Sequence, residues 1–125
     1  MSGHKSLRVY QLAYQLAMEI FHLSKEFPPE ERYSLTDQIC RSSRSVPANI
    51  AEGYRKRQYP KAFVLKMADA DGEATEITVW LDMAKDCEYL RTADYQRLTN
   101  GYEEVGKMLG NMINHPEKFL PRQGN

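Results

Sequence analysis

Between Pro60 and Cys87 one apolar pattern runs without a break: Phe63, Met67, Ala70, Ala74, Ile77, Leu81 and Ala84 alternate steps of four and three. That spacing keeps all of these side chains on one face of an α-helix. A strand cannot hold it, because strand side chains swap faces at every residue. Pro60 suits the first helical position, where its missing N–H leaves no bond unmade. About 28 residues at 1.5 Å each give a helix roughly 42 Å long. The rest of the chain has to pack along that length.

Three more stretches carry helical period. Val9, Leu12, Leu16, Ile20, Leu23 and Phe27 mark a first helix, stopped by Pro28-Pro29. The second starts at Ser34. Ser34 and Asp37 form an S-x-x-D cap in which the hydroxyl satisfies a free amide of the first turn. Its stripe is narrow and rich in small residues: Leu35, Ile39, Ser43, Val46, Ile50 and Gly53. Pro47 lies inside it, removes a donor and crowds the Ser43 carbonyl, which predicts a kink. Ser42, Ser43 and Asn49 offer polar groups to satisfy that carbonyl or its neighbours. The fourth helix takes Thr92 as N-cap, carries Leu98, Tyr102, Val105, Leu109 and Met112, and ends near Asn114 before Pro116. The connections at 28–33, 54–59 and 88–92 are short, so sequential helices are antiparallel. The expected fold is all-α, an antiparallel up-down-up-down four-helix bundle over residues 7–115. A loose tail is expected over 116–125.

Composition narrows the class. The 125 residues, 42% hydrophobic and 27% charged, suit one soluble domain. Two cysteines exclude a disulfide scaffold and a four-cysteine zinc site. No apolar run approaches the roughly 20 residues of a membrane span, and the first residues lack the apolar stretch of a signal peptide. The expectation is a cytoplasmic protein with reduced thiols and no membrane partner. The formal net charge is zero, but residues 1–66 hold 11 Lys/Arg against 6 Asp/Glu, and residues 67–125 hold 6 against 11. Either faces within one chain pair, or a basic patch or charge-matched self-association surface exists.

Catalytic patterns are missing. A bundle di-metal centre needs two Glu-x-x-His pairs and two further glutamates; the only such pair is Glu19 and His22, with His22 turned about 200° from the core position Ile20. The run Asp69-Ala70-Asp71-Gly72-Glu73 looks like a calcium loop, but its glycine comes fourth and Trp80 stands where the bidentate glutamate belongs. There is no G-x-S-x-G and no P-loop. Cys40 and Cys87 suit small buried hydrophobes. No catalytic, cofactor-binding or metal-binding residue is assigned, and the protein is read as a non-enzyme.

Two surfaces ask for partners. On the second helix Arg41, Arg44 and Arg55 fall between about 140° and 200° from Ile39. Arg55-Lys56-Arg57 and Lys61 continue the patch, with Tyr54 and Tyr59 interleaved. This is either a solvated face or a contact for RNA or DNA, in which arginines meet phosphates and tyrosines stack on bases. The third helix is apolar on its far side too: Val64, Ala68, Gly72, Thr75 and Val79 lie at roughly 120° to 200° from Ala70. A mid-helix glycine costs up to ~1 kcal/mol against alanine. The stripe is either scattered surface apolarity or a protein–protein interface, with the chain itself or another protein as partner.

The second helix also carries a recognisable string. Leu35-Thr36, Gln38-Ile39, Arg41 and Ser45-Val46-Pro47-Ala48-Asn49-Ile50-Ala51-Glu52-Gly53 resemble the signature of the 23S rRNA intervening-sequence protein family. Leu7-Arg8-Val9-Tyr10-Gln11, Phe27-Pro28 with Glu31 and Tyr33, and Ala70, Gly72, Glu76, Leu81 and Ala84 resemble its other motifs, over roughly residues 7–110. The resemblance implies a small cytosolic bacterial four-helix bundle that forms ring-like homopentamers, without catalytic residues and without an assigned biochemical function. A related accessory protein of diversity-generating retroelements is basic and binds nucleic acid. Ser42 and Arg44 depart from the small or apolar residues usual there, and Glu73 from a common serine.

Overall fold

The computed structural model describes residues 3–121. Helices α1 (Arg8–Ser24), α2 (Leu35–Arg55), α3 (Pro60–Asp86) and α4 (Thr92–Asn114) are joined by short turns. Single 3₁₀ turns lie at His4–Ser6, Pro29–Glu31 and Pro116–Phe119, and no strand occurs among the described residues. Each helix packs against its sequence neighbour, and α4 returns to α1. Side-chain pairs give the directions. Ser24 at the end of α1 meets Cys40 near the start of α2, 3.4 Å apart. Glu52 at the end of α2 pairs with Lys66 near the start of α3 at 3.3 Å. Tyr95 at the start of α4 donates to Asp82 late in α3, and Arg97 reaches Glu19 at 2.8 Å. Every neighbouring pair is antiparallel: the bundle runs up-down-up-down.

The α3 stripe is buried at all seven positions. Around it close Val9, Leu16 and Ile20 of α1, Ile39, Val46 and Ile50 of α2, and Leu98, Val105 and Leu109 of α4. The first helix ends at Ser24, before the prolines, yet Phe27 stays buried beneath the turn that follows. Ala13 and Ala17 are buried where Leu12 and Leu23 are half-exposed, because the small residues let α1 lie close to its neighbours.

Two expectations about caps and ends are corrected. Ser34 makes no cap bond from its side chain to the α2 backbone. Its hydroxyl donates to Glu31 at 2.7 Å, and that same carboxylate oxygen accepts from the Leu35 N–H at 3.2 Å. A carboxylate three residues upstream therefore caps α2. Pro47 is buried inside an α2 that continues to Arg55, and the polar groups around it bond carbonyls of the same helix. Ser42 donates to Gln38 at 2.7 Å, Ser43 to Cys40 at 3.0 Å and Asn49 to Ser45 at 2.9 Å. These bonds let the hydroxyls of Ser42 and Ser43 be buried. The loose tail fails at its start: in the turn Pro116–Phe119 the Phe119 ring stacks on Phe63 with centroids 5.9 Å apart. Residues 122–125 of the expected tail lie outside the described residues.

At the end of α3, Glu88 adopts a left-handed φ of 64°. The Glu88 N–H bonds Lys85 and the Tyr89 N–H bonds Ala84, a Schellman stop with glutamate in the place glycine favours. That turn aims Tyr89 back across the bundle end, where its hydroxyl donates to Glu31 at 2.9 Å.

Candidate functional site

The outer edge of α3 is apolar and bare. Ala68, Gly72 and Thr75 are exposed, and Val79 is 45% exposed. Val64 departs from the expected stripe, being half-buried against the core. Two residues absent from the sequence reading complete the edge: Leu65, 64% exposed, and Met83, 48% exposed. Leu65, Ala68, Gly72, Thr75 and Val79 then follow steps of three, four, three and four, the repeat that a helix uses to pack along a second helix. A side chain added at Gly72 would meet nothing within 4 Å. The glycine thus answers no need inside the monomer.

The basic surface is split by the structure. Arg41 is exposed and pairs loosely with Asp37 at 3.7 Å. Arg44 lies over the Phe21 ring at 5.9 Å. Both sit well up α2, away from the loop. Arg57 is folded back, its guanidinium 4.1 Å from the Tyr54 ring centroid and bonded to the Tyr54 carbonyl at 3.0 Å. Arg55, Lys56 and Lys61 stand exposed at the opposite bundle end from Glu31, and among the described residues none of the three is in an ion pair.

A cleft of about 550 Å³ lies between the start of α2 and the end of α3 and is lined by Glu31, Tyr33, Leu35, Trp80, Met83 and Asp86. Cys87 opens into it and is exposed, not the small buried hydrophobe expected; Cys40 is half-buried. Among the described residues no three histidine, cysteine or acidic side chains gather as metal ligands, and no helix is long and apolar enough to cross a membrane. Glu31 is this cleft's polar centre. Donors from Ser34, Tyr89 and Leu35 hold its carboxyl below the ordinary value. The same bond pushes the Tyr89 hydroxyl up to about 12. A depressed carboxyl stabilises the fold above its unfolded pKa and loses that contribution as pH falls through the folded one. Glu31→Gln is therefore expected to melt below the wild type at neutral pH. The gap in Tm should close in acid; a gap that persists there would show that the charge is not what matters.

Exposed apolar and basic surfaces are what the described residues offer. The family described as 23S rRNA-intervening sequence protein matches residues 5–111. No curated protein matches the chain. A solved structure from Bacteroides thetaiotaomicron, described as a protein of unknown function from the S23 ribosomal protein family, superposes with a TM-score of 0.76. Identity is 30%, over 84% of this chain and 97% of that one.

Proposed function

Since the chain belongs to the 23S rRNA-intervening sequence protein family, we propose that it is a non-enzymatic, cytoplasmic interaction protein that assembles with copies of itself, as the homopentamer that the resemblance implies. The carrying observation is the exposed repeat along α3, with Leu65 and Val79 bare in the monomer. Two branched apolar side chains on a helix already buried along its other face favour a second contact.

Light scattering on a sizing column tests this. The expected mass is several times 14.5 kDa. Val79→Asp should reduce it to that of one chain, because an unpaired carboxylate inside an apolar seam costs about 3–5 kcal/mol. An unchanged mass in the variant would remove this edge from the interface.

A second reading, contact with RNA or DNA, is favoured by the exposure of Arg55, Lys56 and Lys61 around the turn from α2 to α3. Replacing Arg55 and Lys56 by alanine should weaken binding to a generic single-stranded RNA and reduce the slope of log affinity on log salt by about one per lost phosphate contact. Equal affinity in the two proteins would dismiss this loop.

A further inference from the structure

We propose that the cleft between the start of α2 and the end of α3 binds a small organic cation, a protonated amine carried on an apolar body. The cleft holds about 550 Å³, an ordinary size for a small-molecule site. It is apolar at Leu35, Trp80 and Met83, and Tyr33, 84% exposed, adds a second aromatic ring. Trp80 is held in place by its indole N–H, which donates to Glu76 at 3.1 Å. Of the side-chain rings, indole attracts a cation most strongly. Met83 also belongs to the outer edge of α3, so the cleft adjoins that edge, but the site needs no second copy.

The charges choose the sign of the ligand. Two carboxylates line the cleft, Glu31 and Asp86, and no lysine, arginine or histidine does. Arg32 follows Glu31 in the chain, but its guanidinium lies over the Tyr33 ring, 5.3 Å from the centroid. Asp86 is exposed and in no ion pair among the described residues. Glu31 is already ordered. Its Oε1 accepts from the Ser34 hydroxyl and the Leu35 N–H, and its Oε2 accepts from the Tyr89 hydroxyl at 2.9 Å. A carboxylate has about four acceptor positions, so Oε2 keeps one for a ligand. The three donors also hold Glu31 in its charged form. A carboxylate fixed beforehand spares the ligand the cost of ordering it. An amine in the cleft would make a charge-assisted bond there, with its carbon body against Leu35, Met83 and the indole. A neutral molecule of the same shape would strip water from the carboxylates without replacing it.

Trp80 is the one tryptophan of the chain, so its emission reports on this cleft. The probe is phenethylammonium, and phenethyl alcohol is its neutral match in shape. With the full chain, the cation is expected to shift Trp80 emission to shorter wavelength and to saturate. It should bind about tenfold more tightly than the alcohol, the gain of a charged bond over a neutral one. Asp86→Asn, at an exposed position outside every described ion pair, should weaken the cation about fivefold and leave the alcohol unchanged. The bound cation should also slow alkylation of Cys87 by iodoacetamide, read on that residue's peptide, because Cys87 opens into the cleft. A signal that rises without saturating overturns the site. Equal affinity for cation and alcohol, or unchanged affinity in Asp86→Asn, overturns the recognition of charge. Saturation in Val79→Asp but not in the wild type would mean that a second copy fills the cleft, and overturns the ligand. A wild type that is monomeric and still binds the cation overturns self-association and keeps this site.

Discussion

Gly53→Val is expected to destabilise the bundle by about 3 kcal/mol or more, the typical ceiling for overpacking a tight contact. A Cβ at Gly53 would stand 2.5 Å from the Met67 methyl and 2.7 Å from the Lys66 Cβ, with the Phe63 carbonyl at 3.6 Å. The methionine tip can swing away. The Lys66 Cβ is fixed to the α3 backbone, so the two helices must part. Gly53→Ala should cost less, because better helix propensity returns up to about 1 kcal/mol. Urea unfolding reads this as a lower midpoint at unchanged slope. Gly72 predicts the opposite sign. Its added methyl meets nothing, so in a Val79→Asp monomer Gly72→Ala should raise stability by up to about 1 kcal/mol. Equal effects at the two glycines would contradict the packing described for α2 against α3.

Phe63→Ala is expected to cost about 3–5 kcal/mol, the range for emptying a buried aromatic site. Phe63 is fully buried at the start of α3 and carries the stacked Phe119 ring. Removing it opens a cavity and frees the turn at Pro116–Phe119 together. At about 4 °C per kcal/mol for a chain of this size, Tm should fall by roughly 12–20 °C. Phe119→Ala should cost much less, since Phe119 is only half-buried. A small effect at Phe63 would mean that the tail collapses into the gap.

Most of the bundle was legible because its helices keep strict apolar periods. The α3 stripe is the clearest case, with every expected core residue buried. Burial of Ser24 and Ser42 was not legible: their hydroxyls are satisfied on their own helix backbones, at Phe21 and Gln38, and nothing in a serine's identity announces that. Leu65 and Met83 escaped the outer stripe because they sit at its border, near 220° from Ala70 by about 100° per residue. The cap of α2 escaped because its carboxylate comes from Glu31, outside the helix, where an acid looks like ordinary surface. The order Glu-x-x-Ser before an apolar run was the available signal. The basic surface was read as one patch since a helical wheel records angle and not reach. It does not show Arg57 turning back onto Tyr54.

The loop Lys56–Tyr59 has a further consequence. It joins residues 1–59, with 9 Lys/Arg against 6 Asp/Glu, to residues 60–125, with 8 against 11, and it lies exposed between the two helices that share the most extensive contact in the fold. A cut there would leave two helical hairpins of opposite charge, each still holding the surface that fits the other. Gly53, Phe63 and Met67 would keep their places across the cut, because the bonds that align α2 with α3 do not run through the loop. The bundle is thus two helical hairpins held together by side-chain packing, and the loop Lys56–Tyr59 is the tether between them.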